Sequence, residues 1–161
     1  MTTAFAFEFH LSSEQQTTRF GQRLASLLHP GDTLLLQGPI GAGKTHLARA
    51  IIQERLSKAG LLEDVPSPTY TLVQTYFDGD CEIWHADLYR LTDPEEVVEI
   101  GLDAAFDDAI VLIEWPDRLG SGVPRDALTI DLGVENDSRR VRLSSSSEKW
   151  ARLEPMLKEL E

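Results

Sequence analysis

The feature that most constrains this chain is a change of pattern at residue 37. Residues 33 to 37, TLLLQ, form a run without polar interruption that reads as a strand covered on both faces, as in a parallel sheet. The run passes directly into residues 38 to 45, GPIGAGKT. From there a helix carrying Leu47, Ala48, Ile51, Ile52 and Leu56 continues to about residue 59, with Gly60 as its stop. The eight residues match G-x-x-x-x-G-K-[ST] in full, in the strand, loop, helix order the motif requires. A chance match somewhere in a chain of this length has odds on the order of one in a hundred, and the flanking elements lower them further.

The motif needs these residue types for a physical reason. Backbone amides must turn inward and approach phosphate oxygens closely, which a Cβ would obstruct, hence Gly38, Gly41 and Gly43 around Ala42. Lys44 can reach β and γ phosphates, the Thr45 hydroxyl supplies a magnesium ligand, and the helix points its positive end at the same oxygens. A magnesium nucleotide needs further acid, which proteins with this loop carry at the end of a hydrophobic strand. Glu114 closes AIVLIE and Asp87 closes the more mixed CEIWHAD. One is expected to touch the metal or its water and the other to orient the attacking water. Thr69, in SPTY, occupies a proline-stiffened loop where a segment sensing the γ phosphate would lie. His85 reads as a hydrogen-bonded strand residue, because no second His or Cys stands at metal spacing. His46 reads as a first-turn helix residue at the nucleotide rather than a catalyst.

The rest of the chain reads as further α and β elements. Residues 4 to 9, AFAFEF, make a short strand, and Ser12 and Ser13 with Gln15 and Gln16 offer a capping box for a helix through residue 28. Phe20, Leu24, Leu27 and Leu28 give that helix a buried stripe. After Pro66 and Pro68, TLVQTYF and CEIWHADLY read as a hairpin about the turn DGD. TDPEEVVEIG opens a helix with Asp93 at N-cap, Pro94 at N1 and Glu96 at N3. Weaker strands around residues 127 to 132 and 139 to 143 lead through four serines, 144 to 147, into a C-terminal helix bearing Trp150, Leu153 and Leu157. The expectation is an α/β fold: one P-loop domain over residues 1–161, three layers α/β/α, with a mainly parallel central sheet and a hairpin or antiparallel extension.

Charge narrows the partners. Fifteen basic against 27 acidic side chains leave a net charge of −12, which repels phosphate backbones and anionic lipid, so a protein partner is expected before free nucleic acid. The single cysteine, Cys81, excludes an internal disulfide, fits a reducing cytosol and reads as a small, half-buried strand residue. The first residues, MTTAFAFEFHLSSEQQ, lack a basic leader and an apolar run, and no window approaches the roughly 18 apolar residues a span requires. A soluble, cytoplasmic protein without membrane association is expected.

GPIGAGKT at 38 to 45, SPTYTLV at 67 to 73, HADLYRL at 85 to 91, DPEEVVEIGL at 93 to 102 and VLIEWPDRL at 111 to 119 follow one another in order. In these five blocks the chain resembles the bacterial TsaE family, formerly YjeE, small P-loop ATPases of tRNA threonylcarbamoyladenosine biosynthesis. The resemblance implies that Gly41, Ala42, Gly43, Lys44 and Thr45 bind ATP phosphates and that Thr45 and Glu114 hold Mg2+. It makes Asp87 a catalytic carboxylate beside Lys44 and Glu114, puts Thr69 in a switch-like loop, and sets the SSEQQT segment, including Glu14, beside the base. It also implies two partners, TsaB and TsaD, with tRNA reached indirectly because the chemistry on tRNA belongs to TsaD. The family often follows GKT with a second hydroxyl; this chain has His46, which leaves metal binding intact and bears on turnover. Two alternatives stay open. A P-loop small-molecule kinase would need a basic lid, for which only Arg90 and Arg118 are single candidates; a nucleotide-sensing subunit would bind without turnover. A GTPase is disfavoured, since no N-K-x-D sequence is present.

Overall fold

A computed structural model describes residues 2–61 and 63–160. Strand β1 (Phe5–Leu11) leads into helix α1 (Glu14–Ala25), and β2 (Thr33–Gln37) into α2 (Lys44–Lys58). The hairpin β3 (Val73–Phe77) and β4 (Glu82–Asp87) precedes two short helices, α3 (Glu95–Ile100) and α4 (Leu102–Asp108), and then β5 (Ile110–Glu114). A second hairpin, β6 (Leu128–Glu135) and β7 (Ser138–Ser145), is followed by a 3-10 turn, Glu148–Leu153, and helix α5 (Glu154–Lys158). The strands form a single mixed sheet in the order β1-β7-β6-β2-β5-β4-β3. The four central strands, β6, β2, β5 and β4, are parallel, and antiparallel strands flank them on both sides.

Alternation along the strands divides the core in two. Leu34, Leu36, Ile110, Leu112 and Ile83 face α1, α2 and the C-terminal segment, whereas Leu35, Val111, Ile113 and Ala86 face α3 and α4. The expected three layers therefore hold over β2, β5 and β4. Over β1, β7 and β6 the second face instead carries polar side chains, among them Arg140 and Arg142 paired with Glu8. Helices α1 and α2 pack side by side on this face: Phe20 of α1 meets Phe9 of β1, Leu47, Ala48, Ile51, Ile52 and Leu56 of α2 are buried with the sheet core, and Ala50 meets Gly21 of α1 so closely that a Cβ on Gly21 would stand 2.8 Å from that of Ala50.

Local signals explain most boundaries. Ser13 caps α1 by accepting from the Gln16 amide at 3.2 Å, and the Gln16 side chain accepts in return from the Ser12 amide at 2.8 Å. Helix α1 ends at Ala25 instead of continuing to residue 28. Gly60, at φ +75, closes α2: its amide donates to Ser57 and the Leu61 amide to Leu56.

Three expectations need correction. The helix of TDPEEVVEIG begins at Glu95, after Pro94 rather than after Asp93, although the Asp93 carboxylate still accepts from the Glu95 amide at 3.0 Å; Gly101, at φ +95, then divides it from α4. The C-terminal helix is split, because Pro155 has no amide to continue the hydrogen-bond ladder, but Trp150, Leu153 and Leu157 are all buried as expected. Ser144 and Ser145 belong to β7, and only Ser147 serves as the cap, accepting from the Lys149 amide at 3.3 Å. Among the described residues no helix is long and apolar enough to cross a membrane.

Candidate functional site

The carboxyl ends of three adjacent parallel strands meet at one edge of the sheet, where ligand sites form in open α/β folds. Strand β2 delivers the glycine loop, and in the same ladder row Leu36 pairs with Glu114 and Glu114 with Asp87. Alternation puts His85, Asp87 and Glu114 on the α2 side of the sheet, the side from which the helix N-terminus approaches. The result is a cleft of about 370 Å³. Gly41, Gly43, Lys44, Thr45 and His46 form one wall and Asp87, Glu114 and Thr69 the other. Ile40, Tyr89 and Trp115 complete its rim.

The loop has the backbone an anion cradle requires. Gly41 and Gly43 stand at φ +85 and +104, and a Cβ built on either meets nothing within 4 Å, so both border open space. Gly38 is different: at φ +142 a Cβ would lie 2.5 Å from the Leu132 carbonyl oxygen, so this glycine is required by close approach to β6. Ala42 is buried and outside the cleft lining. The carbonyls of Gly41 and Ala42 face away and accept from Arg139 at 3.3 and 3.1 Å.

Polar contacts tie the two walls together. The Thr45 hydroxyl donates to Glu114 Oε1 at 2.7 Å, and His85 Nε2 stands 2.7 Å from the other carboxylate oxygen. Asp87 accepts from the Thr69 hydroxyl and from the Tyr89 amide, both at 3.1 Å. Thr69 is held in turn by Ser67 at 2.7 Å. Lys44 curls back, its ammonium donating to the carbonyls of Gly38 and, at 3.2 Å, Pro39, and lies 3.8 Å from the centre of the Trp115 ring. Burial lowers the Lys44 pKa from its ordinary value, while the charges of Glu114, Asp87 and Asp117 oppose that shift.

Of the residues singled out in the sequence, Gly41, Gly43, Lys44, Thr45, His46, Thr69, Asp87 and Glu114 are brought together. Glu14 is not. It is exposed on the first turn of α1, where a carboxylate suits the positive helix end, and the residue of α1 that reaches the loop is Thr18, whose Oγ1 lies 2.7 Å from His46 Nε2. His85 is the hydrogen-bonded strand residue expected, with Glu114 as its partner. Sequence reasoning passed over Tyr89 and Trp115, although they stand two residues after Asp87 and one after Glu114, where loop residues overhang a site of this type.

The donor set fits a magnesium nucleotide. Two carboxylates beside an anion cradle with one lysine would repel a triphosphate unless a divalent cation came between them. Among the described residues no cluster of three or more His, Cys, Asp or Glu forms a cage for a metal. Mg2+ is suited to such a place, since it commonly takes one or two protein ligands and completes its shell with phosphate oxygens and water.

The parallel sheet, the glycine loop at its carboxyl edge and the helix behind it define a P-loop NTPase fold. The crystal structure of YdiB from Bacillus subtilis has this fold, with a TM-score of 0.78 at 23% identity over 99% of this chain and 97% of that one. The sequence model of the family "Threonylcarbamoyl adenosine biosynthesis protein TsaE" matches residues 11–142. The tRNA threonylcarbamoyladenosine biosynthesis protein TsaE of Rickettsia bellii is 37% identical over 131 residues, 81% of this chain and 89% of that one. Its namesake from Haemophilus influenzae is 37% identical over 141 residues, 83% and 86% of the two chains. This chain belongs to the TsaE family.

Proposed function

We propose that this protein is a Mg2+-dependent ATPase that supports tRNA threonylcarbamoyladenosine modification in the cytoplasm, in a complex with TsaB and TsaD. Family membership and the names of its relatives support the pathway. The observation that carries the ATPase reading is the contact between Thr45 and Glu114, which joins the foot of the anion cradle to a strand-end acid at 2.7 Å. The partners follow from the resemblance of the motifs, and the net charge of −12 agrees with an approach to tRNA through other proteins.

Each residue then has a task. The amides of Gly41, Gly43, Lys44 and Thr45 would hold phosphate oxygens, and Lys44 would exchange its carbonyl partners for them. Thr45 and Glu114 would hold the cation. Asp87, fixed by Thr69 and the Tyr89 amide, orients the attacking water. The magnesium nucleotide supplies the phosphoanhydride bond whose hydrolysis drives a change of shape or partner affinity. His46, joined to Thr18, lies at the end of the cleft nearest α1, which is where the base is assigned.

The test is ADP release by purified protein, alone and with TsaB and TsaD, for the wild type and for Lys44→Ala. Slow release alone, stimulation by the partners, and loss of both in Lys44→Ala are expected. Binding of ATP without turnover in any mixture would favour a sensing subunit, and release that depends on a small-molecule acceptor would favour a kinase.

A further inference from the structure

We propose that Arg139 is a positioning residue for the anion cradle: from β7 it grips the outward carbonyls of the glycine loop and thereby aims the Gly43 amide into the cleft. The inference rests on the reading of that cleft as a nucleotide site and adds a residue to it from the opposite half of the sheet.

The argument begins with strand length. Strand β2 ends at Gln37, paired with Asp131, but β6 continues to Glu135 before turning through Asn136 into β7. The overhanging part of this hairpin has the glycine loop beside it where a strand would otherwise lie. The loop rests there on two contacts, Gly38 against the Leu132 carbonyl and Arg139 against the carbonyls of Gly41 and Ala42.

The grip acts through the geometry of the peptide unit. In a trans peptide the N–H and the preceding C=O point in opposite directions from one rigid plane. The Ala42 carbonyl shares its plane with the Gly43 amide, so Nε of Arg139, at 3.1 Å from the Ala42 oxygen, turns that amide toward the cleft. The neighbouring plane joins the Gly41 carbonyl to the Ala42 amide, which donates to the Pro39 carbonyl at 3.1 Å, and Nη2 of Arg139 holds its oxygen. Unrestrained, a glycine at φ +104 rotates between conformers at little steric cost, and the cradle would have to be ordered at the moment of binding.

The chemistry of the donor matters as well. A charged donor on a carbonyl polarises the whole peptide unit and makes its N–H a better donor to an anion. Arg139 takes part in none of the ion pairs among the described residues, whereas Arg140 pairs with Glu135 at 3.0 Å and Arg142 with Glu8 at 3.4 Å. Its charge therefore remains available to the loop. The planar fork spans two carbonyls, and its remaining nitrogen, Nη1, donates to Ser138 at 3.1 Å; a lysine offers one point in place of this frame.

The experiment titrates Mg-ADP and Mg-pyrophosphate into wild type, Arg139→Ala, Arg139→Lys and Arg140→Ala by calorimetry, and follows the Gly43 amide by 15N NMR during the pyrophosphate titration. Arg139→Ala is expected to weaken both ligands about tenfold, the loss of one well-placed charged hydrogen-bonding frame. Arg139→Lys should recover little of that loss, and Arg140→Ala should bind as the wild type does. The pyrophosphate-induced shift of the Gly43 amide should shrink in Arg139→Ala, a signature that a general loss of stability would not produce. Binding by Arg139→Ala within twofold of the wild type, or equal weakening by Arg140→Ala, overturns the positioning role and leaves the nucleotide reading intact. Failure of the wild type to bind either ligand would sink the nucleotide reading itself, and this inference with it.

Discussion

Replacing His85 by leucine tests whether the strand-end acid is held by the protein or merely sits at the strand end. His85 is fully buried in β4, with Nε2 at 2.7 Å from Glu114 Oε2, and the Glu114 side chain is only 3% exposed. The other carboxylate oxygen already accepts from Thr45. Leucine fills the space and donates nothing, so one buried carboxylate oxygen loses its protein partner. Leaving such a group unsatisfied costs about 1–3 kcal/mol, and more when it is charged. The ring Nδ1 has no hydrogen-bond partner among the described residues, so removing it returns part of its burial cost, about 1 kcal/mol. The expected net loss in His85→Leu is about 2–3 kcal/mol.

Glutamine carries an amide nitrogen close to where Nε2 stood. His85→Gln should therefore keep the donor and lose about 1 kcal/mol through imperfect packing. For a chain of this size each kcal/mol moves the melting temperature by about 2–4 °C. The assay is urea unfolding of nucleotide-free protein at neutral pH, supported by calorimetry. If the leucine and glutamine variants unfold at the same urea concentration, the hydrogen bond does not restrain Glu114 and the reasoning fails.

Two further predictions concern backbone and charge. Gly38→Ala should cost more than about 2 kcal/mol by urea unfolding, because positive φ adds about 1–3 kcal/mol of strain and the Cβ meets a carbonyl oxygen that cannot swing away; Gly79→Ala, at φ +90 in open space, should cost only the strain. Asp78 tests acid stability. Burial alone would raise its pKa, but the amides of Cys81 and Asp80 and the Arg55 guanidinium at 2.7 Å together hold it below the ordinary 3.8. A group depressed on folding stabilises the protein above its unfolded pKa and loses that contribution as pH falls through the folded one. Asp78→Asn should accordingly be less stable than wild type at neutral pH, with the gap closing as urea midpoints are followed below pH 3.8.

What could be read from the sequence was what short-range physics determines. TLLLQ and AIVLIE announce strands buried on both faces because nothing polar interrupts them, and GPIGAGKT carries its backbone demands within eight residues. Asp87 and Glu114 were visible as strand-end acids. Their joint place at the glycine loop was expected from the motif, but their pairing in one ladder row was not, because nothing local says that β5 inserts between β2 and β4. The sequence gives no sign that Glu14 stands outside the cleft lining, exposed on the first turn of α1, where Ser13 and Gln16 close the helix end. Arg139 is 97 residues from Ala42, and its contact depends on how far a hairpin overhangs a neighbouring strand, which no periodicity records. Nothing in TDPEEVVEIG marks Gly101 as both the end of one helix and the start of the next.

The loop presents a physical problem that the two halves of the sheet solve together. Glycines give it the conformers an anion cradle needs, and the same freedom would dissolve those conformers in the absence of ligand. The structure restrains it from several sides. Gly38 is pressed on Leu132, Gly41 and Ala42 are gripped by Arg139, Thr45 is tied to Glu114, and His46 is tied to Thr18. The parallel strands bring the acids to the cleft, and the antiparallel hairpin braces the loop from behind. Under the proposed function, the contact between Thr45 and Glu114 would open to admit the cation, and the bonds of Lys44 to the Gly38 and Pro39 carbonyls would be exchanged for the anion. A magnesium-chelated polyphosphate carries both charges at once, so its binding would require only these two local exchanges within a cradle whose backbone is already set.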